Sequence, residues 1–263
     1  MADVGAVTEF YGSGTLWQRL ADALAADGVD VDAPTLTDLA PYDQFHGRGL
    51  EATIELADSV EITPADHVLD VGSGLGGPAR VLADRFGCRV TGIDLTAEFC
   101  EVAARLCTLT DLDDRVSVRQ GSALDMPFGD GAFDGAYSMN VSMNIADRAG
   151  LYREIHRVLR PGGWLVLSEL ARGPNPDEHG FPVPWARSAD ESFLTAPEET
   201  CELLAACGFT VARCTDHSEA AREYRARVRA MVERGHEPPM RSVGLVHRDA
   251  VSYTHLRAHE TRR

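Results

Sequence analysis

The stretch Val68-Leu-Asp-Val-Gly-Ser-Gly-Leu-Gly-Gly77 constrains this chain more than any other. An apolar run enters a glycine cluster, and Pro78 follows at a favoured first-turn position of a helix that Gly87 closes. Gly72, Gly74 and Gly76 permit tight backbone geometry and let a ligand approach the main chain. The helix start aims free N–H groups and a positive dipole end at that ligand. Asp94 ends the next apolar run, where a carboxylate can accept hydrogen bonds from both hydroxyls of a ribose. A ligand containing a nucleoside is expected.

Spacing alone leaves its identity open. Gly72, Gly74 and Gly77 also satisfy G-x-G-x-x-G with an acid about 20 residues on, the dinucleotide pattern. Asp70 tips the balance, because a carboxylate there suits the ammonium group of a methionine moiety and has no obvious task beside a pyrophosphate.

Around this loop, short apolar runs alternate with amphipathic helices. Strands are expected at 67–71, 89–94, 116–120, 133–139, 164–170 and 209–214. Phe99, Val102, Ala103 and Leu106 form one helical stripe, and Leu151, Ile155, Val158 and Leu159 another, stopped by Pro161-Gly162-Gly163. Thr195-Ala-Pro-Glu198 has capping-box spacing, and 218–235 reads as a basic helix. Upstream, Leu16, Trp17, Leu20 and Leu24 mark a helix, 30–49 reads as a polar loop, and 50–59 as a second helix. Such alternation predicts an α/β protein with a parallel sheet covered on both faces. The expected division is a helical, cofactor-covering segment at 1–62, a core at 63–250 with a lid near 172–195, and a tail at 251–263.

The formal net charge is −16, and all 25 basic residues are Arg. A surface this acidic repels phosphate backbones and anionic lipids, which argues against nucleic acid or membrane partners. The start of the chain lacks a signal-peptide pattern and no apolar run is long enough to cross a bilayer, so a cytoplasmic protein is expected. The six cysteines, at 88, 100, 107, 201, 207 and 214, lack Cys-x-x-Cys or zinc-ligand spacing and read as reduced fillers with no metal site. Val251–Thr261, VSYTHLRAHET, resembles a translated sequencing adapter, so 251–263 is set aside as a non-native tail and a native C-terminus is expected to be missing.

Four blocks in order resemble class I S-adenosylmethionine-dependent methyltransferases over 68–170: LDVGSGLGG, GIDLT, QGSALDMPFGDGAFD and EIHRVLRPGGWLVLSE. The resemblance implies a Rossmann-like three-layer sandwich with sheet order 3-2-1-4-5-7-6, in which strand 7 is antiparallel. No convincing strand 7 is legible before residue 251, so six strands and an incomplete edge beyond the fifth are expected. It further implies S-adenosylmethionine as cofactor. Asp70, Gly72, Ser73, Gly74 and Gly76 would hold the methionine part, Asp94 the ribose, and Ser122, Ala123 and Leu124 the adenine, with Leu95 and with Met139, at the end of the fourth strand, as further cofactor-binding residues. Where the family usually has Asp, this chain has Ser122.

Asp43-Gln-Phe-His-Gly-Arg-Gly49, Ser142-Met-Asn-Ile145 and Phe181-Pro-Val-Pro-Trp-Ala186 resemble a bacterial subgroup related to methyltransferases of sarcosine, dimethylglycine or phosphoethanolamine. This implies a small-molecule acceptor, an amine among the candidates. His46 is a candidate to act as base or to orient the acceptor, against the alternative of an idle exposed loop histidine. Asn144 is the second catalytic candidate, and Tyr11, Met143, Asn144 and Trp185 are candidates to line the acceptor pocket. Two other functions fit the glycine loop: a nicotinamide-dependent oxidoreductase, whose Tyr–Lys form fails without Lys, and a non-catalytic module binding an adenosyl ligand. The oligomeric state is not legible.

Overall fold

The computed structural model describes residues 14–173, 180–239 and 241. Five strands, β1 (His67–Val71), β2 (Arg89–Asp94), β3 (Val116–Gln120), β4 (Phe133–Met139) and β5 (Leu159–Ser168), form one sheet of order β3-β2-β1-β4-β5. Every pairing is parallel. Eight α-helices accompany them among the described residues: α1 (Leu16–Ala26), α2 (Leu36–Asp43), α3 (Gly49–Ala57), α4 (Gly77–Phe86), α5 (Ala97–Leu109), α6 (Arg148–Val158), α7 (Pro197–Ala206) and α8 (Ser218–Glu233).

The period-two pattern of β1 explains how the layers assemble. Val68 faces one way and packs with Ala79 and Leu82 of α4 and Val90 of β2. Leu69 and Val71 face the other way, against Leu151, Ile155 and Val158 of α6. A third apolar cluster lies outside the sheet, where Leu16, Leu20 and Leu24 of α1 meet Leu39 and Tyr42 of α2 and Phe99, Val102 and Leu106 of α5. Those three α1 leucines are at most 1% exposed, and each contributes about 1.5–3 kcal/mol by burial. The N-terminal helices are thereby fixed beside the glycine loop.

β5 begins at Leu159, five residues before the expected strand, and takes up Pro161-Gly162-Gly163, and three further expectations change. The 30–49 region contains a helix, α2, opened by a reciprocal box. Thr35 Oγ1 accepts the Asp38 amide at 3.2 Å, and Asp38 Oδ2 accepts that of Thr35 at 2.9 Å. Second, α7 starts one residue later than read: Glu199 reaches back to the Ala196 amide at 3.0 Å, so Thr195 is not the cap.

Third, 209–214 is not a strand. In the expected order a sixth strand would pair only with strand 7, and among the described residues no strand stands beyond β5. The segment therefore has no ladder to join, and the flank of β5 stays part-exposed where β4 is mostly buried. Tyr11 and 251–263 lie outside the described residues. No described helix is long and apolar enough to cross a membrane.

Candidate active site

The glycine loop is stitched to β2. Ile93 O accepts the amides of Gly72 at 2.8 Å and Ser73 at 3.1 Å, which bends the chain across the end of the neighbouring strand. Gly72 has φ +68°, and a Cβ there would stand 2.4 Å from Val141 Cγ2, so no other residue fits. Gly76, also left-handed, caps α4.

Asp94, at the tip of β2, meets this loop. Its Oδ2 accepts the Gly74 amide at 2.9 Å and its Oδ1 that of Thr96 at 2.9 Å. Burial raises its carboxyl above the ordinary range, and the two amides pull the other way. Gly72, Gly74, Asp94, Leu95, Ser122, Ala123, Leu124 and Met139 all line one cleft along the carboxyl edge of the sheet. Ser122 Oγ is committed to the Leu124 amide at 3.1 Å.

Asp70, Ser73 and Gly76 sit behind this wall, not on it. Asp70 is 2% exposed; burial, then the charge of Asp94, pushes its carboxyl up to about 8. Asp70 Oδ2 and Ser73 Oγ are buried without a hydrogen-bond partner. Orphaned polar atoms are rare in folded proteins and cluster where a ligand or water completes them. Beneath a loop of amides, such a pair fits a ligand bearing an ammonium or other donor.

The opposite wall is built from the segments after β4 and β5. A single 3-10 turn, Ser142–Asn144, carries Met143 and Asn144, and both line the cleft. Met143 O accepts the Phe193 amide at 2.8 Å, and Arg148 Nη1 donates to Phe193 O at 3.2 Å, tying the 180–195 segment to this turn. Trp185 lies in that segment, lines the cleft and donates Nε1 to Ser192 Oγ at 3.0 Å.

His46 also lines the cleft, but it is 5% exposed and held in a polar network, so the reading of an idle exposed histidine fails. Its Nε2 lies 3.0 Å from Thr53 Oγ1 and 3.2 Å from Gln44 Oε1, and burial lowers the ring to about 4. Gln44 and Thr53, with the buried pair Asp43–Arg80 at 2.7 Å, were not singled out from sequence. Arg80 lies on a helix enclosed on all sides over residues 77–83, so no polar stripe marks it.

Glu169, just beyond β5, was missed too. It lines the cleft, Oε1 accepts the Ser142 amide at 3.3 Å, Oε2 is sealed and unpartnered, and burial raises its carboxyl. Its signals were the end of the matched block EIHRVLRPGGWLVLSE and position at a strand's carboxyl end, where open α/β sheets bind ligands.

The cleft encloses about 4550 Å³, several times a usual small-molecule site of ~300–1,000 Å³. It continues along the open flank of β5 to α8, so its volume does not size an acceptor.

Residues 69–167 match the sequence family described as a methyltransferase domain. The O-methyltransferase resE of Aspergillus sclerotiorum is 34% identical over 172 residues, 62% of this chain and 62% of that protein. The chain thus spans under two thirds of that relative's length. Among solved structures, geranyl diphosphate methyltransferase in complex with SAM is 26% identical, with a TM-score of 0.57 over 67% of this chain and 72% of that one. The [4+2]-cyclase SpnF is 26% identical, with a TM-score of 0.61 over 77% of this chain and 86% of that one.

Proposed function

Residues 69–167 being a class I S-adenosylmethionine-dependent methyltransferase domain, we propose that the chain moves the methyl group of S-adenosylmethionine to a small-molecule acceptor. The observation that carries this reading is the Gly74–Asp94 hydrogen bond, which joins the glycine loop and the ribose-type carboxylate in one cleft wall. In this reading Asp70, Gly72, Ser73, Gly74 and Gly76 hold the methionine part. Asp94 holds the ribose, Ser122, Ala123 and Leu124 flank the adenine, and Leu95 and Met139 complete the cofactor site. The orphaned Asp70 Oδ2 and Ser73 Oγ support a ligand with an ammonium group at the loop. When bound, the cofactor supplies an electrophilic methyl on a sulfonium with a neutral thioether as leaving group.

The chain's own part is alignment and exclusion of water, which can supply much of the rate of an in-line displacement. His46 and Asn144 orient the acceptor, while Met143 and Trp185 wall it in. The 180–195 segment acts as a lid and the 1–62 segment as a cofactor cover. An amine acceptor fits best: Trp185 offers a face for a cation, and the net charge of −16 attracts cations. The same charge disfavours nucleic acid, and the proposed setting is the cytoplasm.

The test is transfer from methyl-labelled S-adenosylmethionine to panels of small amines, carboxylates and phenols. Labelled amines are expected. Binding of cofactor without transfer to any panel would make the chain a non-catalytic adenosyl-binding module instead.

A further inference from the structure

A buried polar chain runs from Leu75 of the glycine loop through Arg80, Asp43 and Gln44 to His46 and Thr53. Arg80 of α4 donates Nη1 to Leu75 O at 2.8 Å and Nη2 to Asp43 Oδ2 at 2.7 Å. A guanidinium does not give up its proton inside a protein, so the Asp43 facing it is held as a carboxylate, although burial raises that carboxyl. The remaining oxygen, Asp43 Oδ1, lies 3.2 Å from Gln44 Nε2. A carboxylate only accepts hydrogen bonds. The Gln44 amide must therefore turn its NH₂ toward Asp43 and its Oε1 away.

There Oε1 meets Thr53 Oγ1 at 2.6 Å and His46 Nε2 at 3.2 Å. An amide oxygen cannot donate, so the short contact uses the single hydroxyl proton of Thr53. His46 Nε2, also 3.0 Å from Thr53 Oγ1, then faces two atoms that can only accept. The hydrogen-bond network thus assigns the ring proton to Nε2. Nδ1 is left with Gly47 O at 3.4 Å, another acceptor, which cannot satisfy it.

The ring lines the same cleft as Gly72, Gly74 and Asp94. Its neighbour Phe45 lies against Gly74, 3.2 Å from where a Cβ would be, and Thr53 Oγ1 is 3.8 Å from Met139 Sδ at the end of β4. We propose that Gln44 and Thr53 are positioning residues that hold His46 as the Nε2–H tautomer, so that its bare Nδ1 receives the hydrogen bond of an N–H or O–H nucleophile on the acceptor. The proposal rests on the methyl-transfer reading above. It narrows the substrate class to acceptors whose reacting heteroatom carries a hydrogen, excluding tertiary amines and carbon nucleophiles.

Long-range ¹H–¹⁵N correlation on histidine-labelled protein tests the tautomer without any acceptor, the signal being assigned with His46→Gln. The parent is expected to show a neutral ring protonated at Nε2 near pH 7, and Gln44→Leu to show a mixture of tautomers. A parent ring protonated at Nδ1, or charged, would overturn the proposal. With an N–H or O–H acceptor from the panels, Gln44→Leu and His46→Ala are expected to lose about tenfold or more in acceptor kcat/KM, a hydrogen bond's worth. Affinity for S-adenosylmethionine should stay within twofold. Unchanged transfer in both variants would equally overturn the proposal. A parent that neither binds S-adenosylmethionine nor transfers methyl would defeat the underlying reading, and the tautomer readout separates that failure from this one.

Discussion

Asp94 Oδ2 accepts the amide of Gly74 at 2.9 Å, twenty residues earlier in the chain, while its Oδ1 accepts that of Thr96 at 2.9 Å. The Thr96 side chain and the Leu95 amide also hydrogen-bond this carboxyl, which fixes it at the tip of β2 on the cleft wall. Asp94→Ala is expected to weaken S-adenosylmethionine binding by about ten- to a hundredfold, the worth of one or two hydrogen bonds to a charged group. Titration calorimetry measures it, and unchanged affinity would remove Asp94 from the site.

Gly72→Ala should be poorly tolerated for two separable reasons. The φ of +68° costs an L-residue roughly 1–2 kcal/mol, and the new methyl would overlap Val141. Urea denaturation is expected to show a loss above about 2 kcal/mol, and Gly72→Ala with Val141→Ala should recover only the steric part. Full recovery in the double variant would mean that backbone strain contributes nothing.

The buried pair Arg80–Asp43 links α4 to α2 at 0% and 3% side-chain exposure. Arg80→Met leaves a buried carboxylate without its cation and should cost about 3–5 kcal/mol. Arg80→Met with Asp43→Leu should cost clearly less than the two single changes together. Additive losses would show that the two residues stabilise the fold independently.

Burial, and then the charge of Asp94, pushes the carboxyl of Asp70 up to about 8 in the folded chain, from an ordinary 3.8. Between these values the folded chain binds more protons than the unfolded one, so stability falls as pH rises from about 4 to about 8. Asp70→Asn should flatten that part of the profile in denaturation midpoints taken from pH 5 to 8. A cation bound at the loop favours the ionised form, so cofactor binding at pH 7 should release a proton in the parent and none from this position in Asp70→Asn. Calorimetry in buffers of different ionisation enthalpy reads it.

The core of the fold was legible because each layer obeys a short period. Val68 against Leu69 and Val71 sorts the two faces of β1, and the stripe Phe99–Val102–Ala103–Leu106 orients α5. The 30–49 region misled because Asp and Pro signal turns, although Thr35 and Asp38 already spelled a cap. The strand expected at 209–214 failed for a non-local reason: alternation within a segment says nothing about whether a partner strand exists to pair with it. In the site, Gly72, Gly74 and Asp94 announce themselves by spacing, whereas Thr53 meets Gln44 from 9 residues away and Arg80 meets Asp43 from 37. Position beside a ligand edge was visible for Met143 and Asn144, but the burial of His46 followed from packing that no local pattern encodes.

Calorimetric titration of the chain with S-adenosylmethionine and, separately, with NAD tests the central claim most directly. S-adenosylmethionine should bind with one-to-one stoichiometry, and about ten- to a hundredfold more weakly in Asp94→Ala, while NAD gives no heat of binding. Tighter binding of NAD, or binding of S-adenosylmethionine indifferent to Asp94, would contradict the account.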